Sequence, residues 1–67
     1  MIAIELNGAP HDIDAGRNLH DLIAALELSG QALAVAVNRE VVPRHLWPQR
    51  ALQQHDRVDI VRAIGGG

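Results

Sequence analysis

Apolar and polar positions alternate from the first residues of the chain. Ile2, Ile4 and Leu6 alternate with Ala3 and Glu5, a period of two that predicts a half-buried strand. Asn7-Gly8 follows, a strong hairpin signal, because a type I′ turn needs positive φ at both central positions. A second strand is expected back through 9–14. Pro10 has no N–H to give a ladder, which places this strand at an edge. After Ala15-Gly16 the period changes. Leu19, Leu22, Ile23 and Leu26 fall at i, i+3, i+4 and i+7, the apolar stripe of a helix over 19–28. Asn18 is placed to cap its start, Asp21 suits the helix dipole, and Ser29-Gly30 is the expected stop.

Leu33 to Val37 is apolar throughout and predicts a strand with Leu33, Val35 and Val37 toward the core. Asn38-Arg39-Glu40 reads as a turn and Val41-Val42 as the start of a short strand cut off by Pro43. Leu46 and Trp47, between Pro43 and Pro48, predict an irregular or 3₁₀ segment whose apolar side chains cap the core. Ala51-Leu52 suggests a brief pairing and 53–56 a turn. Val58 and Ile60 restart the alternation in a last strand to about Ile64. The order is hairpin, helix, strand, short strand, strand. Pairing the first and last strands in parallel gives an α+β fold of the β-grasp type, a mixed sheet of four to five strands packed on one helix. Residues 1–64 form this domain and residues 65–67 a flexible glycine tail leaving a central strand.

One helix covers one face of the sheet. On the other face, alternation puts Ala3, Ala34, Ala36, Val61 and Ala63. They read as a flat protein-docking patch, the alternative being apolar residues exposed singly. Strict alternation sends Arg62 toward the core beside Ile60. Either the strand ends or bulges before it, or its head reaches out past the sheet.

Composition narrows the function. Sixty-seven residues make one domain with a small core. The formal charge of −2, with six arginines spread along the chain and no basic run, argues against nucleic acid. No stretch is long and apolar enough for a membrane span, and no cysteine is present, in keeping with the cytoplasm. His11, His20, His45 and His55 show no metal-ligand spacing, and Ser29, the one serine, has no histidine partner in view. Any sulfur chemistry needs a donor other than a thiol of this chain.

The chemistry left is at the C-terminal end. Gly65-Gly66-Gly67 is a thin arm without side chains, and a terminal glycine leaves its carboxyl unhindered. Three extended residues reach roughly 10 Å, enough to thread a narrow channel while the body stays outside. A carboxylate is a poor electrophile and must first be activated, most simply as an acyl adenylate made from ATP. The chain has no phosphate-cradling loop, so a partner must bind the ATP. From the tripeptide alone, a loose end or linker remains equally open.

The run Asn38-Arg39-Glu40-Val41-Val42-Pro43-Arg44, then Trp47, then Asp56 to Val61 and the glycine end resembles the thiamine-biosynthesis sulfur carrier proteins, the ThiS family of ubiquitin-like β-grasp domains. The resemblance spans nearly the whole chain. Asn-x-x-x-Val-Pro-Arg-x-x-Trp is its specific part, since many β-grasp proteins share a diglycine end. It implies a protein co-substrate, not an enzyme. A ThiF-like adenylyltransferase would activate the Gly67 carboxylate, a sulfur-transfer enzyme would convert it to a thiocarboxylate, and a ThiG-like thiazole synthase would take the sulfur. Gly66 matches the penultimate glycine of the family, and Gly65 is an extra one. One departure is His55-Asp56, where the family often has Gly-Asp. The alternatives are a molybdopterin synthase small subunit, a ubiquitin-like modifier, or an interaction module with an inert tail. Trp47 is read as a core residue with an interface anchor as the alternative, and Arg44 as solvated or as steering an acidic partner.

Overall fold

The computed structural model describes residues 1–28 and 30–62. The last two residues expected in the final strand (63–64) and the glycine tail lie outside the described residues, as does Ser29.

Five strands form one mixed sheet: β1 (Ile2–Leu6), β2 (Ala9–Ile13), β3 (Leu33–Val37), β4 (Glu40–Val41) and β5 (Arg57–Arg62). Their spatial order is β2-β1-β5-β3-β4. β1 and β5 pair in parallel, the other neighbours antiparallel. β2 is an edge strand, as Pro10 requires. The Asn7-Gly8 hairpin has φ of +49° and +83°, the signs of a type I′ turn. Asn7 also ties β1 to β5, since its N–H donates to the Val58 carbonyl at 2.9 Å and its Oδ1 accepts the Ile60 N–H at 2.7 Å.

Helix α1 (Leu19–Ala25) starts as expected. The Asn18 side chain accepts the Asp21 N–H at 2.8 Å and the Asp21 carboxylate accepts the Asn18 N–H at 3.2 Å, a reciprocal capping box. Its end comes earlier than the stop expected at Ser29-Gly30. Leu26 is the C-cap and Glu27 turns left-handed at φ +60°. The Leu28 N–H reaches the Ile23 carbonyl at 3.1 Å and the Glu27 N–H the Ala24 carbonyl at 3.0 Å, the two bonds of a Schellman motif. Leu28 packs against the core, and this contact overrides the glycine signal two residues on.

The core lies between α1 and one face of the sheet. Leu19, Leu22 and Ile23 from α1 meet Ile4, Val35, Val37 and Val58 from the strands. Trp47, from the 3₁₀ segment Arg44–Gln49, and Leu52 close the end. Trp47 is 2% exposed while Leu46 is 39% exposed, so Trp47 alone of the pair caps the core. The pairing expected at Ala51 is a single antiparallel bridge to Asn18.

Candidate functional site

The register sets what the helix-free face displays. Ile4, Val35, Val37 and Val58 are buried on the helix side, so their neighbours in sequence point away. Val61 stands opposite Ala34, and Ala36 lies between Asp59 on β5 and Val41 on β4. Ala34, Ala36 and Val61, all expected on this face, are therefore brought together. Val61 is 63% exposed. Ala3 lies apart. The parallel register aligns Glu5 with Arg57, which puts Ala3 roughly 20 Å from Val61 along the strand direction. Ala63, Gly65, Gly66 and Gly67 lie outside the described residues.

Val41 belongs to the same patch and was not expected there. It is 71% exposed beside Ala36. A three-residue turn over Asn38-Arg39-Glu40 hides it. The observed turn has two residues, Asn38 at φ +53° and Arg39 at φ +70°, and Glu40 already pairs with Val37. This pairing assigns Val41 to the open face. The signal available in the sequence was asparagine at the first turn position, which tolerates positive φ.

The face has two halves. Ala34, Ala36, Val41 and Val61 form an apolar half over β5-β3-β4. Over β2-β1-β5 the surface is charged. Arg57 Nε lies 3.5 Å from both Glu5 Oε2 and Asp59 Oδ2, and Asp12 is opposite Ala3. These ion pairs are exposed, each worth no more than about 1 kcal/mol. The apolar half lies toward the Arg62 end of β5, from which the chain continues to the glycines. The register Val35–Ile60, Ala34–Val61, Leu33–Arg62 is unbroken. The strand therefore neither ends nor bulges before Arg62, which is exposed at its end.

The run Asn38 to Trp47 shapes this scaffold. Asn38 Nδ2 donates to Asp56 Oδ1 at 3.0 Å, and Asn38 Oδ1 accepts the Arg57 N–H at 2.9 Å. Asp56, 7% exposed, also accepts the Gln53 N–H at 2.8 Å and has Arg50 Nη1 at 3.7 Å. This network clamps the β3–β4 turn to the start of β5. Pro43 caps the 3₁₀ segment, and the Trp47 indole N–H donates to the Val42 carbonyl at 2.9 Å. The Arg44 guanidinium lies 4.8 Å from the indole centroid and donates to the Gln31 carbonyl. The four histidines sit on β2, α1, the 3₁₀ segment and the turn before β5.

The family model described as "ThiS family" matches residues 4–67. The chain belongs to the ThiS family. Its match runs through the last glycine and covers the sheet, the helix and the open face. This ThiS-family chain is 34% identical over 53 residues to the "Sulfur carrier protein ThiS" of Escherichia coli K12, covering 79% of this chain and 80% of that one. It is 39% identical over 64 residues to a "Thiazole synthase" of Magnetococcus marinus, covering 96% of this chain. The chain spans only 20% of that synthase's length. The crystal structure of a thiamine biosynthesis protein (ThiS) from Geobacter metallireducens superposes with a TM-score of 0.84 at 26% identity, covering 98% of this chain and all of that one. The β-grasp fold expected from the element order is thus the fold of a ThiS relative. Among the described residues, no helix is long and apolar enough to cross a membrane.

Proposed function

We propose that this chain is a sulfur carrier of thiamine biosynthesis whose working group is the Gly67 carboxylate. A partner adenylyltransferase binds ATP. The carboxylate attacks the α-phosphorus, pyrophosphate leaves, and an acyl adenylate forms. A sulfide-equivalent from a sulfur-transfer enzyme then displaces AMP and leaves a thiocarboxylate. A thiazole synthase takes the sulfur from it for the thiazole ring. The chain acts throughout as a protein co-substrate in the cytoplasm, with no cofactor of its own, its globular domain spanning 1–64 and its reacting arm 65–67.

The observation that carries this reading is the family match reaching Gly67 together with the likeness to a sulfur carrier protein. The thiazole synthase relative supports an association with that class of enzyme. The apolar half of the open face supports docking, with Ala34, Ala36, Val41 and Val61 as the contact surface and Ala63 as its expected continuation. Threading and ordering a glycine arm costs conformational entropy, and a docked face offsets that cost.

Intact mass spectrometry tests the proposal. After incubation with the adenylating partner, ATP and a sulfur source, the chain is expected to gain the mass difference between sulfur and oxygen. Conversion to high-mass conjugates on lysines of other proteins would instead make it a modifier. No mass change with active partners would leave an interaction module.

A further inference from the structure

The apolar surface does not stop at the sheet. Four large hydrophobic residues are exposed among the described residues, and Val41, Leu46 and Val61 are three of them. Val41 lies on the open face with Val61 and lines one groove with Leu46, and contiguous apolar surface marks a contact better than scattered exposure does. Val41 is shared between the open face and a groove of about 260 Å³ between β4 and the 3₁₀ segment. Val41, Pro43 and Leu46 supply its apolar wall. The concavity is shallow and largely open, and a large aliphatic or aromatic side chain can lie in it.

The groove is held open by its own framework. The Trp47–Val42 hydrogen bond fixes the 3₁₀ segment against the residue that follows β4, and the Arg50 N–H donates to the Trp47 carbonyl at 3.2 Å. A surface whose backbone is already fixed costs little to order on binding. Its two charged lining residues differ. Arg50 is engaged with Asp56 and the Ala51 carbonyl. Glu40 is exposed and enters no ion pair among the described residues, so the rim presents a negative charge.

We propose that this groove anchors a thiazole synthase-type partner, which inserts a large apolar side chain between Val41 and Leu46 and sets an arginine or lysine against Glu40. The synthase is the occupant because a segment similar to this chain forms a fifth of one such enzyme, so that class of protein already accommodates a domain of this kind. The inference rests on the docking face proposed above, which it extends around the β4 edge through Val41.

Binding kinetics on immobilised full-length carrier test it, with purified thiazole synthase and adenylating enzyme as separate analytes. Leu46→Asp is expected to weaken synthase binding about tenfold or more, as loss of a buried anchor contact does, while Leu46→Met changes it less than about twofold. Glu40→Lys is expected to lower the association rate several-fold, an effect that shrinks with added salt. Melting curves establish that each variant is folded. Synthase affinity unchanged by Leu46→Asp overturns the proposal. So does an effect on the adenylating enzyme alone, or one confined to self-association in sedimentation. Val61→Asp separates the two readings. If it weakens binding and Leu46→Asp does not, only the groove is wrong. If Val61→Asp leaves both partners unaffected, the docking face itself fails.

Discussion

Single residues in this chain carry conformations that their side chains disfavour. His55 holds φ at +73°, and its N–H reaches the Ala3 carbonyl at 2.8 Å. A left-handed residue with a Cβ costs about 1–2 kcal/mol, partly offset by the lower entropy of the unfolded chain relative to glycine. His55→Gly is therefore expected to stabilise the fold by roughly 0.5–1 kcal/mol, read from urea or thermal unfolding. The neighbouring Asp56 is the opposite case. Asp56→Ala removes the acceptor of the part-buried bonds from Gln53 and Asn38 and is expected to cost on the order of 1–2 kcal/mol. In so small a domain this lowers the melting temperature markedly. The departure at His55 was legible in the sequence. The burial of Asp56 was not, because its partners lie 18 positions away at Asn38 and 6 away at Arg50.

At the scale of elements, local signals succeeded where a short-range hydrogen bond decided the outcome. Asn18 and Asp21 form their box within one turn, and Asn7-Gly8 makes its hairpin. The end of α1 went otherwise. The pattern continues to Leu26 and a glycine waits at 30, yet the chain turns at Glu27 so that Leu28 joins the core. Glu27→Gly is expected to stabilise the domain by up to about 1 kcal/mol, because glycine occupies that C′ position without strain. An unchanged or lower unfolding midpoint in denaturant would refute this account of the helix end. The turn between β3 and β4 shows how one residue of length changes a surface. Two turn residues instead of three put Val41 on the open face.

For the whole molecule, the proposed division between body and arm matters most. The core among the described residues is closed by α1, Trp47 and Leu52. On the proposed function, deleting Gly67 is expected to abolish sulfur loading while leaving the melting temperature within about a degree, because a terminal glycine has no side chain to bury. A large drop would make the end structural. On the open face, Val61→Asp places a charge in the apolar half and is expected to weaken adenylyltransferase binding by about tenfold or more with the fold intact. Circular dichroism checks the fold and titration calorimetry the affinity.

The sequence by itself determined the elements, their order, the capping of the helix and the candidate reacting end. Those depend on period, turn residues and the absence of a side chain, all properties of neighbouring positions. Only the tertiary structure decided which exposed residues act together. It joined Val41 to Ala34, Ala36 and Val61, separated Ala3 from them, and opened a groove beside Leu46. It also gave Asn38 and Asp56 their shared role. The reason is distance along the chain: strand register and loop length bring together residues that no local pattern relates, and a shift of one position exchanges the two faces of a strand.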